Sequence, residues 1–578
     1  MINYYLSYHV RIEESNQTNK TGISQEKTAV ISLLDGSGNE LDVVRIPAPD
    51  LAEVYEKIFR GDPVNLDNSY IHGFSLSAYR RIYELNKGDA VTINSFSAVN
   101  AFFDSHHATD FANAVFKSEA SFEGTHFGRG KVLFNNSNFL GTVNLSSTYF
   151  LSGHIEFTGA QFGPGDFLFK NSIVRDGLKD FSDAKFGAGE VTFANSEFNH
   201  GDILFINTRF NDGTFSFKIA RILGGRIDFH YAVFGEGEVT FERTEFGNSR
   251  VDFRAVDFGG GKVNFNRSIF GDGDIDFEGA SSRSGKIQFK RAVIGSGIKK
   301  FGLMEMPETE VNFEKTVFGP GDLSFQGSRY NKLILKSCYL NHYVDFRVSE
   351  TEFLDLSDTI VRDIIDIEPY GYDIKIGSMN MSGMRLIGKM YIDWDINRCK
   401  KLIVNQEETN DREKADQFRI LKVNFNQTGK YEDEDKAYIM FKRYEARNIV
   451  AKYQKKGGII KYLAYISNGF RWLVFDAAGL YATNPLRVLF AMGISYLVFS
   501  LLFYFLILTT NADIISSTPD QLGDLARSFY HSAITFFTIG YGDHYPFGSI
   551  RVFSGIEGFV GVFLMSYFTV AFVRKVLR

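Results

Sequence analysis

The sequence predicts a multidomain fold: a β-solenoid along most of the chain, a helical linker, and an α-helical membrane domain at the end. Three observations carry this. Phe recurs every twelve residues from Phe157 to Phe325 without a miss. The repeat stops after Asn405, where helical apolar stripes replace it. Two runs, residues 488–508 and 552–573, are apolar enough and long enough to cross a bilayer.

Composition sets the frame. The 578 residues include 58 Phe and 54 Gly, a bias that points to internal repetition. Net charge is −6, which argues against a nucleic-acid partner, since such proteins are normally basic. The two cysteines, Cys338 and Cys399, offer neither metal-ligand spacing nor a disulfide framework. The opening MINYYLSYHVRIEES has no basic stretch followed by a long apolar one, so no signal peptide is expected and the N-terminal bulk is expected in the cytosol.

Residues 1–63 read as a cap of two or three strands and a helix over 50–60, covering the end of the solenoid, whose open edge would otherwise pair with another chain. The solenoid is expected over 64–400, interrupted by a helical insertion at 77–89. Its unit is V-x-F-x-x-S-x-F-G-x-G-x, as in GAGEVTFANSEF (187–198). V-x-F alternates with period two and marks a very short strand. A small residue two places before the second Phe fits inside a corner, and G-x-G is expected to supply positive φ at a tight turn. This unit resembles the pentapeptide-repeat proteins, which implies a right-handed, four-sided β-solenoid. The sequence departs from that family by lengthening alternate units, five plus seven. Four sides then need 24 residues per coil, or about a dozen coils. The Asp and Glu residues of stretches such as GDGDIDFEGA (271–280) read as a solvated face rather than a carbohydrate-cleaving site. GGGKVN (259–264) lacks the Ser or Thr of a phosphate loop and is one more copy of the repeat. The broad faces leave room for an unknown cytosolic ligand or protein.

Residues 401–456 read as a helical hairpin. Ala415, Phe418, Leu421 and Phe425 share one stripe, and Ala437, Met440, Phe441 and Tyr444 another. The acidic cluster 432–435 suits a helix N-terminus and lacks the glycine and spacing of a calcium loop. Residues 457–485 are apolar but hold Lys461, Asn468, Arg471 and Asp476. They read as an interfacial helix, with Trp472 and Tyr465 at headgroup depth, in preference to a third span.

The membrane domain, 486–578, has basic residues before the first span and after the second (Arg574, Lys575, Arg578), so both ends are expected to face the cytoplasm. Between the spans a short apolar helix, 525–537, leads into Thr538-Ile539-Gly540-Tyr541-Gly542-Asp543. This stretch, in this context, resembles the selectivity filter of two-transmembrane-helix potassium channels. The resemblance covers about 486–578. It implies that carbonyls of Thr538, Ile539, Gly540 and Tyr541, with the Thr538 hydroxyl, replace the water shell of K⁺. Gly540 and Gly542 permit the required dihedrals. Tyr541 is expected to pack on Phe529 and Tyr530, and Asp543 to hydrogen-bond behind the filter. One strand per chain implies a homotetramer in the plasma membrane. Gly561 stands where the family's inner helix often carries a hinge glycine, with close helix packing as the alternative. Glu557, the one charge inside the spans, either tunes the filter or bonds His531 or Ser532. Ile534 replaces the acidic filter-supporting residue of some relatives. Neither span carries the spaced arginines of a voltage sensor.

The expectation is thus a potassium-selective channel and not an enzyme. K⁺ is its permeant ion, no cofactor is required, and the cytosolic solenoid serves as a regulatory or assembly domain. The other reading is a membrane-anchored interaction scaffold whose pore segment is silent. With no sequence beyond Arg578, control from the cytosol is expected to pass through the first span.

Overall fold

The computed structural model describes residues 5–18, 24–454, 458–517, 519 and 522–577. They fall into two compact units that divide between Glu407 and Glu408. The first is built almost wholly of short strands, the second of helices.

In the first unit most strands are two or three residues long and pair only in parallel, each with the strand one coil before and one coil after. Val191 lies beside Phe215 and Phe215 beside Val239, so a coil takes 24 residues and has four sides. One side is a thirteen-stranded ladder from Ala108–Asp110 to Lys389–Tyr391, giving thirteen coils among the described residues. Toward the end the coil shortens; Leu323 pairs with Val344.

Phenylalanine fills the inside. Phe241, Phe265, Phe289 and Phe313 stack with successive ring centroids 4.7 Å apart, the spacing of the main-chain ladder itself. The small corner residue is buried as expected and also ties coils together: the Ser196 hydroxyl donates to the Phe169 carbonyl at 2.7 Å and Thr208 to Phe181 at 2.8 Å.

The corners differ from expectation in two respects. Positive φ sits chiefly on the residue two after the strand Phe, where Asn195, Asn207, Ile219, Tyr231, Arg243 and Ala255 have φ of 51° to 62°, and at only some G-x-G glycines, such as Gly259 and Gly321. The glycines serve another purpose. A Cβ on Gly237 would stand 2.0 Å from the Gly213 carbonyl oxygen, and one on Gly261 2.0 Å from that of Gly237. Glycine is required there because the coils' backbones touch at that corner. The carboxylates also do more than face water. Asp228, Asp252 and Asp276 are buried, and each accepts a hydrogen bond from the backbone N–H two residues on, as Asn264 and Asn312 do on the opposite side. These are Asx-turns that fix the corner.

The N-terminal cap is three antiparallel strands, Ser7–Thr18, Ser24–Leu34 and Glu40–Pro47, then a helix Leu51–Arg60 with Asp50 as N-cap. The strands do not cover the end coil. They lie on the flank, over Tyr70, Phe102 and Tyr149, the outward residues of successive coils of one side. Tyr8, Tyr70 and Arg129 all donate to the buried Asp104 carboxylate. Burial works against that charge, but the three donors outweigh it and hold the carboxyl below its ordinary pKa. The reason for the flank position is chemical: those outward residues are aromatic, whereas most later ones are charged or aliphatic. The insertion is a short helix, Leu76–Ile82, N-capped by Ser75. At the far end a helix, Cys399–Val404, buries Cys399, Leu402 and Ile403.

Two lysines occupy inward positions that hold Val, Ile or Leu in most other coils of that side. Lys179 and Lys299 are buried, their amines donating to corner carbonyls of the following coil, Asn199 and His200 for the first and Gly319 for the second. Burial pushes both down to about 8.

In the second unit, Asp411–Gln427 opens on a capping box of Asn410 and Glu413 and packs antiparallel to Tyr431–Gln454, with Phe418 on Tyr444. Next come Gly458–Arg471, a wide π-helical turn Trp472–Ala477, and the long helices Pro485–Thr509 and Ile550–Val576, with Asp524–Phe536 between them.

Two predictions follow from these coils. Gly237→Ala should cost about 1–3 kcal/mol by forcing backbones apart. In hydrogen exchange the loss of protection should centre on coils containing Gly213 and Gly261 and fade in distant ones, because each coil touches only its neighbours. For the lysines, the folded state releases its proton near pH 8 and the unfolded lysine near its ordinary 10.5. Between those values the unfolded chain binds more protons, so stability should rise as pH rises from 8 to 10.5. Lys179→Met with Lys299→Met should raise the unfolding midpoint at pH 7 and flatten that rise.

Candidate functional site

Only Pro485–Thr509 and Ile550–Val576 are long and apolar enough to cross a membrane among the described residues. Asn484 caps the first, its side chain accepting from the Arg487 N–H at 3.0 Å, with Pro485 at the first helical position. The helix Asp524–Phe536 packs against both long helices. A two-stranded antiparallel sheet, Asp513–Ser516 with His544–Phe547, closes the loop between them. The sequence reading did not foresee this sheet; alternation is too short there to register.

Residues 538–542 follow the short helix directly. The N–H groups of Ile539 and Gly540 fold back to the Ile534 carbonyl at 2.9 and 3.2 Å. Beyond that point the φ sign alternates, with positive values of 56° at Thr538, 60° at Gly540 and 78° at Gly542. Thr538 is β-branched, and such a residue in the left-handed region is strained. No hydrogen bond from the described residues reaches the carbonyl oxygens of Thr538, Ile539, Gly540 or Tyr541. The segment is exposed within one chain; Tyr541 is 71% exposed.

The flanking residues are anchored. Tyr530 donates to Asp543 at 2.7 Å, and His544 lies 3.3 Å from the same carboxylate. Tyr541 makes no ring contact with Phe529 or Tyr530 among the described residues. Phe529 instead stands edge-on to Tyr496, and Tyr530 meets His544. Glu557 is wholly buried and accepts from the Ser532 hydroxyl, while His531 pairs with Ser554 at 2.9 Å. Ile534 is buried. At Gly561 the helix runs on unbroken, and a Cβ would lie 2.1 Å from the Phe536 carbonyl oxygen. Close packing against the end of the short helix thus accounts for the glycine without a hinge.

The site thus consists of two long apolar helices, a half-length helix and a strained segment whose carbonyls receive no donor from the described residues. Residues 491–578 match the family model described as "Ion channel". The match begins six residues into the first long helix and runs through the second. No curated protein and no solved structure matches the chain.

The ion-channel segment is joined to the preceding helices by contacts that sequence reading missed. Arg443 grips Asp476 with two hydrogen bonds of 2.8 Å. Leu480, Tyr481 and Ala482 form a left-handed elbow with φ of 48° to 61° before the first long helix. The Tyr567 hydroxyl, on the second long helix, accepts from the Ala482 N–H at 2.8 Å and donates to the Phe475 carbonyl at 3.0 Å. Arg574 pairs with Asp435 at 2.9 Å and lies over the Tyr438 ring. The acidic cluster at the start of Tyr431–Gln454 is therefore tied to the end of the second long helix. The helix Tyr431–Gln454 thus touches the end of the second long helix as well as the segment before the first. The only signal in the sequence was a run of acids and a run of bases 139 residues apart.

Proposed function

We propose that the chain is one subunit of a homotetrameric potassium-selective channel in the plasma membrane, with its N-terminal solenoid and both span ends in the cytoplasm. The observation that carries this is the row of four carbonyls, Thr538 to Tyr541, that no donor among the described residues reaches, on a backbone whose φ alternates in sign. Buried polar backbone is normally paired, and unpaired oxygens at membrane depth are tolerable where they line a path for ions. Alternation of left- and right-handed dihedrals turns successive carbonyls toward one side, where they can replace the hydration shell of K⁺. One strand offers only a quarter of such a shell, and the segment's exposure within one chain leaves its other sides to three further copies.

In this reading Gly540 and Gly542 take the left-handed dihedrals, Tyr530 and Asp543 brace the outer end, and Glu557 with Ser532 supports the helix behind. Phe529 holds the first span through Tyr496, Gly561 seats the helix end, and Tyr541 finds its packing on a neighbouring subunit. The stretch 457–485 lies along the inner membrane surface, with Tyr465 and Trp472 facing lipid. The helix Tyr431–Gln454 is the regulatory coupling element, because it grips both the elbow and the end of the second span.

Purified chain in liposomes should carry K⁺ flux that barium blocks, with K⁺ strongly preferred to Na⁺, and Gly540→Ala should abolish the flux or its selectivity. Equal permeability to both ions in the unaltered chain would overturn the reading. Asp435→Lys should change open probability roughly fivefold or more while leaving ion preference alone. Adding Arg574→Asp should restore it, and an unchanged open probability would remove the helix from gating.

A further inference from the structure

The side of the solenoid that carries the N-terminal sheet continues far beyond it. Its outward residues, coil by coil, begin with Tyr70, Phe102, His126 and Tyr149, which lie against the sheet. Ile173 comes next, and three charged rungs follow it, with Arg221 between Glu197 and Glu245 at 3.9 and 3.1 Å. Then the same column turns apolar for five successive coils: Ile269, Val293, Val317, Tyr339 and Ile360. The first four are 44–48% exposed. A lone exposed Ile or Val needs no explanation, but a continuous stripe of them on a flat parallel ladder does.

The two rims of that stripe carry opposite net charge. The corner leading into it exposes Arg267, Arg291, Lys315 and Lys336, with Lys290 and Glu314 beside them and Asp358 at the last rung. The corner leaving it exposes Asp272, Asp274, Asp322 and Asp363, with Arg362 at the last rung. A flat apolar strip with one basic and one acidic border fits a second copy of itself in only one sense. If two solenoids meet face to face with their axes parallel, the basic rim of each opposes the acidic rim of the other. If they meet antiparallel, like rims face each other, which is costly.

We infer that this stripe is where a second copy of the chain docks, solenoid to solenoid and parallel, about a two-fold axis that runs along the stripe. The inference rests on the oligomeric reading above, which brings the copies together. Five rungs span roughly 20 Å, and a side is about 15 Å wide, so the buried area is about 600 Å² in total, well under the roughly 1,200 Å² of a stable interface. Such a contact holds between tethered copies, where effective concentration is high, and not between free ones. The solenoids are thereby an assembly element in their own right.

Near the two-fold axis each stripe residue meets its own equivalent. In the full-length chain, Ile269→Cys should cross-link to itself with a thiol reagent reaching about 10 Å, the spacing of facing sheets. The native Cys338 and Cys399 are buried and leave a low background. Val233→Cys, on the opposite side of the solenoid, is the control for exposure alone. Val317→Lys in the Ile269→Cys background should cut the cross-linked yield about tenfold. Yield no higher than the control, or cross-links appearing only when Ile269→Cys and Ile360→Cys chains are mixed, would overturn the parallel docking. Particle mass measured alongside separates the two readings. A tetramer without the Ile269 cross-link sinks the stripe and leaves the channel, whereas a cross-linked pair that never exceeds a dimer supports the stripe and sinks the tetramer.

Discussion

The main-chain hydrogen bond between one coil and the next is the constraint on which the first unit depends. It fixes the rise, and the rise fixes everything carried on it. Phe rings stack because the ladder puts them within ring-stacking distance. Corners are held by Asn and Asp because a coil that turns four times cannot leave its corner N–H groups unpaired. Glycine appears where two corners press together so closely that no Cβ fits between them. In the same ladder an inward lysine is tolerated because its amine reaches the carbonyls of the following corner, at the cost of part of its basicity.

The second unit turns the same rule around. Its long helices satisfy their own backbone groups, as a membrane demands. The short stretch after the half-length helix does not, and the molecule holds it in that condition through a strained threonine, two left-handed glycines and a tyrosine–aspartate bond. The first unit satisfies its carbonyls in coil after coil, whereas no donor among the described residues reaches the four adjacent carbonyls from Thr538 to Tyr541.

Much of this was legible beforehand, and the reasons are specific. The Phe ladder could be read because its period is strict, and 24 residues per coil followed from four sides. The apolar spans could be read by length alone. Other features were hidden. Left-handed corners at Ile219 or Arg243 carry no mark in the sequence, since the stack imposes them against local preference. The flank position of the N-terminal sheet depended on which outward residues are aromatic, and strand patterns do not reveal that. Asp104 with Tyr8, and Asp435 with Arg574, are pairs distant in sequence, and nothing local to either partner marks the other. Gly561 read either as a hinge or as a site of close packing, and only the structure shows the Phe536 carbonyl that leaves no room for a methyl.

The elbow at Leu480, Tyr481 and Ala482 has a mechanical consequence. Three consecutive residues coiled against their natural hand store energy, roughly 1–2 kcal/mol apiece. The Tyr567 hydroxyl, bonded on either side of the bend, acts as its latch. A joint preloaded in this way moves easily in one direction and resists the other, so a small push on the helix that grips Asp476 would be met by a spring already wound.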